Sequence, residues 1–308
     1  IIGKRSPLAW GRSSAFPSHL MYLPLLLLQS AVSVTTLTGT FRSPRLTESS
    51  GVVVSRAHPG ILWTHNDSGD GPYLYATDLH GTDRGAIFVP GAEAVDWEDM
   101  ALGPCPRRPV DCLYIGDTGD NLERREHVTV YAVPEPDPPL AAADTQRVSA
   151  AALALSLYYP DGPHDVEALY VSPRDTALYL VSKGRGRRGE IRLYRVARAA
   201  WDRPNRVRAE FVQTLPIVPD RATGRVVTGA AMRADGGLVA IRTYTEIYFF
   251  SSGPGGSLSP ANRPVCSIAQ HERPGESIAF REDSSIVLTS EANPLGRGTI
   301  HTVRCPAS

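Results

Sequence analysis

Short apolar runs separated by polar turns recur along the chain, and no segment keeps a long helical period. Five segments share one order: an acidic or hydroxyl residue, an apolar strand, a turn, a second apolar strand, then a polar loop. They are TESSGVVVS (47–55) with ILWTHNDSG (61–69), VDWEDMALG (95–103) with CLYIGDTGDN (112–121), HDVEALYVS (164–172) with ALYLVSKGR (177–185), VTGAAMRAD (227–235) with GLVAIRTYT (237–245), and GESIAFRED (275–283) with SIVLTSEAN (285–293). A third apolar run follows each pair (YLYATDL, VTVYAVP, IRLYRVA, EIYFFS, TIHTVRC), and AIFVP and EFVQTLPIV read as outer fourth strands. Four antiparallel strands repeated in this way describe the blade of a β-propeller.

The repeat sets the number of blades. The aligned polar residues Glu48, Glu98, Glu167, Thr228 and Glu276 stand 50, 69, 61 and 48 residues apart, about one blade with its loops. The pattern therefore predicts an all-β fold of five four-stranded blades. The last unit has no room for its own fourth strand, so residues 34–42 are expected to supply it and close the ring. A sixth blade is the alternative if 135–160 contains a degenerate unit, although PEPDPPLAAADTQ reads as a long loop.

Composition adjusts this picture in three places. Hydrophobic residues make up 42% of the 308, enough to fill a core. Lys+Arg equals Asp+Glu at 32 each, which gives no reason to expect nucleic acid or a membrane surface as partner. Lys4, Arg5 and Arg12 precede the apolar run Leu20–Leu28 and a small-residue segment, Ala31-Val32-Ser33, so residues 1–33 read as a signal peptide or a disordered leader. The chain begins with Ile, and Met21 is a candidate start. Residues 34–308 are then one propeller domain, secreted or periplasmic, with no membrane span, and expected to be a monomer. Four cysteines allow three pairings. The short loop CPRRPVDC favours Cys105–Cys112, which leaves Cys266–Cys305, and no CxxC pair supports zinc.

The candidate chemistry follows from blade geometry. The start of each first strand and the end of each second strand lie at the same channel mouth. Period-two alternation places Asp96 with Glu98, and Asp165 with Glu167, on one strand face each. The ends of the second strands bring Asn66, Asp67, Asp117, Asn121, Lys183, Arg185, Arg242, Tyr244, Glu291 and Asn293. Carboxylates converging on a narrow axis must be protonated, paired with cations or neutralised by a metal. Oxygen ligands without His or Cys point to a hard cation, and an exported protein favours calcium. Turn capping is the structural alternative for these acids. His65 and His164 read as hydrogen-bonded structural histidines, and Trp63 and Trp97 as blade packing.

The Glu-Glu-Glu-Thr-Glu series on successive inner strands resembles the secreted calcium-activated apyrases, five-bladed nucleotidases with a central calcium. The resemblance implies that Glu48, Glu98, Glu167, Thr228 and Glu276 ring the ion, with Thr228 where that family has Ser. It covers the inner strands alone, and the loops that handle the base in apyrases have no counterpart here. The ESSG, NDSG, DWED and GDTGDN segments also resemble secreted bacterial propellers of unassigned function and, more loosely, the phytase and gluconolactonase propellers. The reading is a calcium-dependent hydrolase of an anionic ester, a phosphoester or phosphoanhydride. Asp117 or Asp165 would act as general base, and Lys183, Arg185 and Arg242 as an anion clamp or as charge balance for the acids. A lactonase using the same ion and a non-catalytic, calcium-stabilised binding propeller are the alternatives.

Overall fold

The computed structural model describes residues 1–3, 33–139, 147–184, 189–203, 205–268 and 274–307. The leader expected over 1–33 lies almost wholly outside the described residues, as does Arg185.

The apolar runs form five sheets arranged as the blades of a propeller. Blade 1 contains β2 (Ser49–Val54), β3 (Leu62–Asn66), β4 (Tyr73–Thr77) and β5 (Ala86–Phe88). Blade 2 contains β6 (Trp97–Pro104), β7 (Asp111–Asp117), β8 (Val128–Pro134) and β10 (Leu153–Tyr158). Between these, the short β9 (Arg147–Val148) runs parallel to β5 on the edge of blade 1. The 135–160 stretch thus supplies edge strands to blades 1 and 2 rather than a sixth unit. Blade 3 contains β11 (Val166–Val171), β12 (Leu178–Ser182), β13 (Arg192–Val196) and β15 (Glu210–Thr214), while β14 (Val207–Arg208) adds to the edge of blade 2. Blade 4 contains β16 (Val227–Met232), β17 (Leu238–Thr243), β18 (Glu246–Ser252), β19 (Leu258–Pro260) and β20 (Cys266–Ser267).

Blade 5 contains β21 (Gly275–Phe280), β22 (Ile286–Ser290) and β23 (Thr299–Arg304), completed by β1 (Val34–Thr40). The pairing of β1 with β23 joins the two ends of the described propeller chain, as the sequence predicted. The innermost strands remain edges of their sheets, but the closed ring shields them from pairing with another chain.

Five apolar clusters hold the ring, each drawn from two neighbouring blades. Trp63 and Trp97 sit together in the cluster between blades 1 and 2, both essentially fully buried, which is the packing role expected of them. Leu169, Leu180 and Tyr114 pack between blades 2 and 3, and Tyr179, Val227 and Ile241 between blades 3 and 4. The two disulfides are those the spacing favoured. Cys105–Cys112 closes the β6–β7 hairpin. Cys266–Cys305 stitches the edge of blade 4 to the end of β23 in blade 5. Among the described residues no helix is long and apolar enough to cross a membrane.

Candidate metal centre

Each innermost strand loses register with its neighbour near its start. The slip falls at Ser50-Gly51 on β2, Glu98-Asp99 on β6, Glu167 on β11, Thr228 on β16 and Glu276 on β21. A bulge frees its extra residue from the ladder and re-aims its side chain. Four residues of the predicted series, Glu98, Glu167, Thr228 and Glu276, occupy this one structural position and are 1–7% exposed. The blade 1 residue at that position is Ser50, and Glu48 stands two residues earlier, exposed to solvent. Its structural counterpart in blade 3 is Asp165: the Glu48 carbonyl accepts from the Asp67 amide as the Asp165 carbonyl accepts from the Lys183 amide, each at 2.9 Å. The acids therefore form two tiers, a buried bulge tier and a more open tier above it.

Within these tiers two groups of carboxylates converge. Oxygens of Glu98, Asp165 and Glu167 lie within 4.8 Å of one another, and so do oxygens of Asp67, Asp96 and Glu98. The Lys183 ammonium is ion-paired with Glu167. Burial first, and then the mutual repulsion of the acids, raise their proton affinities. Asp67 moves up to about 7, with Asp96, Glu276 and Glu48 as its repelling neighbours. Glu167 moves up to about 8 despite Lys183, and Glu98 rises well above the usual carboxylate range, with Glu167 and Asp67 beside it. Glu291, at the end of the second strand of blade 5, moves up to about 7. Burial opposes the charge on Lys183, but Glu167, Tyr244 and Glu98 more than offset it and hold the amine protonated.

Three observations fit a resident cation. Asp165 is 2% exposed; its Oδ1 accepts from the Asp120 amide at 3.0 Å, while Oδ2 is buried with no hydrogen-bond partner. Asp67 Oδ1 is likewise buried and unpartnered. A native interior rarely leaves such acceptors unsatisfied. Gly119 closes the side of the site, and a Cβ there would overlap Glu98 Oε1 and Asp96 Oδ2. The donors are all oxygen and mostly anionic, which suits a hard divalent cation.

The other predicted residues have different surroundings. Asp117 is 1% exposed; Oδ1 accepts from Arg125 Nη2 at 2.8 Å and from the Asp96 amide at 3.3 Å, and Oδ2 from the Val95 amide at 3.4 Å. It pins the segment leading into β6. Thr228 Oγ1 donates across the blade boundary to the Gly275 carbonyl at 3.3 Å. Arg242 is 0% exposed, and its Nη1 donates to the carbonyls of Ser277 and Thr289 at 2.5 and 3.1 Å, tying blade 4 to blade 5. His65 packs edge-on to Trp97 at 5.3 Å and bonds through Nδ1 to the Asn66 carbonyl, and burial lowers its proton affinity to about 4. His164 Nε2 lies 3.1 Å from Asp161.

One residue absent from the sequence reading lies directly beneath the ring. Asp99, the second residue of the blade 2 bulge, is 0% exposed. Its carboxyl accepts from the amides of Met100 (2.8 Å), Leu169 (2.9 Å) and Ala230 (3.1 Å), which joins blades 2, 3 and 4 across the axis. Burial raises its proton affinity to about 8. The equivalent positions are Gly51, Ala168, Gly229 and Ser277, small residues that leave room for it. A lone acid in a column of small residues was the available signal, but that column appears only once the bulges are aligned.

No known family model matches the chain, and no curated protein does. Among solved structures it is similar to the soluble aldose sugar dehydrogenase of Escherichia coli in its apo-form, at 10% identity over 89% of this chain and 100% of that one, with a TM-score of 0.49. A chain of a nidogen/laminin complex matches at 11% identity over 84% of each chain, TM-score 0.47. The periplasmic gluconolactonase of Pseudomonas aeruginosa matches at 13% identity over 87% of this chain and 82% of that one, TM-score 0.41. What the architecture and the site define is a five-bladed propeller with an acidic channel mouth.

Proposed function

We propose that the protein is a secreted or periplasmic calcium-dependent hydrolase, with residues 34–308 as one propeller domain, and that it cleaves an ester whose reacting carbonyl is uncharged, such as a lactone. Charge is the observation that carries this reading. Asp67, Asp96, Glu98, Asp165 and Glu167 converge, with Glu48, Glu276 and Glu291 close by, against the single ammonium of Lys183. With all eight carboxylates counted, the mouth stays negative whether it holds one calcium or two, so an anionic phosphoryl group meets net repulsion and a neutral carbonyl does not. A phosphoester, the substrate class implied by the apyrase resemblance, needs a cationic clamp. Among the described residues of the expected clamp, Arg242 is turned into backbone carbonyls and Lys183 is already paired, while Arg185 lies outside the described residues.

Calcium bound at the mouth would supply polarisation of the carbonyl oxygen and a fixed orientation for the substrate. Asp165, one of the two bases expected from the sequence, belongs to a metal group, so its unpartnered Oδ2 would go to the ion, with Oδ1 held by the Asp120 amide. Glu291, outside both groups and with its proton affinity raised to about 7, would accept a proton from an attacking water. Glu98, Glu167, Asp165, Asp67 and Asp96 would hold calcium, and Lys183 keeps Glu167 oriented.

The test is a hydrolysis panel of γ- and δ-lactones, aryl esters and nucleoside triphosphates, run with calcium and with chelator. Turnover of a lactone or ester that chelation abolishes, without phosphate release, is the expected result, and Glu291→Gln should lower kcat more than KM. If calcium binds and every ester survives, catalysis falls and the mouth is a calcium-held recognition surface.

A further inference from the structure

We infer that the acidic mouth holds two divalent cations with Glu98 shared between them, an inference that rests on the calcium reading above and extends it. The two converging groups are Asp67–Asp96–Glu98 and Glu98–Asp165–Glu167, and Glu98 belongs to both. Glu98 is 4% exposed, and it is surrounded by the like charges of Glu167, Asp67 and Asp96, with Lys183 opposing them. A buried carboxylate in that setting needs a positive partner on each side it faces. On the blade 3 side Asp165 Oδ2 is buried without a hydrogen-bond partner, and on the blade 1 side Asp67 Oδ1 is as well. Each group therefore has its own orphaned acceptor, and one ion seated among Glu98, Asp165 and Glu167 leaves Asp67 Oδ1 unsatisfied.

Charge balance leads to the same number. The five carboxylates of the two groups carry five negative charges, and Lys183, the ammonium paired within them, carries one positive. Two divalent ions bring this set to neutrality, whereas one leaves two negative charges in a buried volume. Arg125 does not alter the count, because its guanidinium is bound to Asp117 and to the Gly119 carbonyl. Glu48, Glu276 and Glu291, which repel Asp67, add further negative charge on the blade 1 side. A shared carboxylate between two cations is an arrangement that proteins use to bring two Lewis acids to one substrate. Gly119 serves both ions, since the space a Cβ would fill holds oxygens of Glu98 and Asp96.

The experiment is calcium stoichiometry of the full chain, by calorimetry and by equilibrium dialysis against calcium, with far-ultraviolet circular dichroism to confirm folding of each variant. The expected result is two calcium ions per wild-type chain. Asp67→Asn and Asp165→Asn should each bind one, and Glu98→Gln should weaken both steps by at least tenfold. If Asp67→Asn is poorly folded, Asp96→Asn replaces it with the same expectation. A single calcium in the wild type overturns the two-ion inference and leaves the calcium reading standing, and no calcium at all overturns both. Two ions that persist unchanged in both Asp67→Asn and Asp96→Asn overturn the assignment of the second ion.

Discussion

The two ends of the central channel are built from the same five strands, yet they have opposite chemistry. Where the innermost strands begin, each carries a bulge, and the freed residues include Glu98, Glu167 and Glu276. Where the same strands end, pairing is regular, and Val54, Leu102, Met100, Met232, Ile278 and Phe280, together with the charged Arg56, Arg233 and Asp235, line a mainly apolar cavity of about 690 Å³. Regular pairing sends alternate side chains into the blade interfaces, where apolar packing stabilises the ring. A bulge breaks that alternation, so its residue is released from the interface and faces the axis. Repetition of one local irregularity therefore makes one mouth acidic, while the other is shaped by packing. Asp99 lies between them and spans three blades.

The largest expected effect is at that boundary. Asp99→Ala leaves the buried amides of Met100, Leu169 and Ala230 without an acceptor, and each orphaned donor costs about 1–3 kcal/mol, so about 3–5 kcal/mol should be lost in chemical denaturation. A loss below about 1 kcal/mol would show that the two mouths are not tied together through this residue. Met100→Ala, in the wall of the apolar mouth, should cost about 2–4 kcal/mol as a cavity. Its calcium-induced rise in Tm should equal that of the wild type, and a diminished rise would mean that the ends are coupled.

Calcium itself should come next. At a hundredfold excess over Kd each bound ion adds about 2.7 kcal/mol to the folded state, or about 4–5 °C in Tm for a chain of this size. Gly119→Ala should remove most of that rise by forcing Glu98 and Asp96 apart, with little change in the metal-free Tm. An unaltered calcium response in this variant would place the ion elsewhere.

An effect on pH dependence is also expected, and it is specific to the acidic mouth. Without metal, Asp67, Glu167 and Glu291 bind protons more tightly in the folded chain, up to about 7, 8 and 7, than in the unfolded one. The folded state then holds more protons between about pH 4 and pH 8, so metal-free stability should fall as pH rises through that window. Calcium ligands must be deprotonated, so the gain from calcium should grow over the same range. Melting curves at pH 5 and pH 8, with and without calcium, test this. An equal gain at both would break the link between the raised proton affinities and the ion.

Much of the architecture was legible before any coordinates. Apolar runs in the order of a four-stranded blade, repeated five times, fix the sheets, because strand pairing follows a local period. The missing fourth strand of the last unit placed Val34–Thr40 against β23. The spacing of CPRRPVDC, together with elimination, paired the cysteines as they are joined. The acidic character of one mouth was also readable, since both ends of a hairpin must lie at the same side of the ring.

The sequence by itself thus determined the blades, their number, the closure and the sign of the charge at one mouth, all of which follow from patterns a few residues long. Tertiary structure alone decided the register of the site. A bulge is a mismatch between two strands and leaves no period in either, so Glu48 aligns with Glu98 by eye but stands in the outer tier in space. Arg242 ends a second strand as Lys183 does. Only the approach of blade 5 turns its guanidinium into the carbonyls of Ser277 and Thr289, while Lys183 meets Glu167. Asp99 acquires its three donors from strands far apart in the chain, and the convergence of Asp67 with Asp96 and Glu98 likewise depends on the ring being closed. Those contacts are set by how neighbouring blades pack, a long-range property for which no local pattern of residues is a proxy.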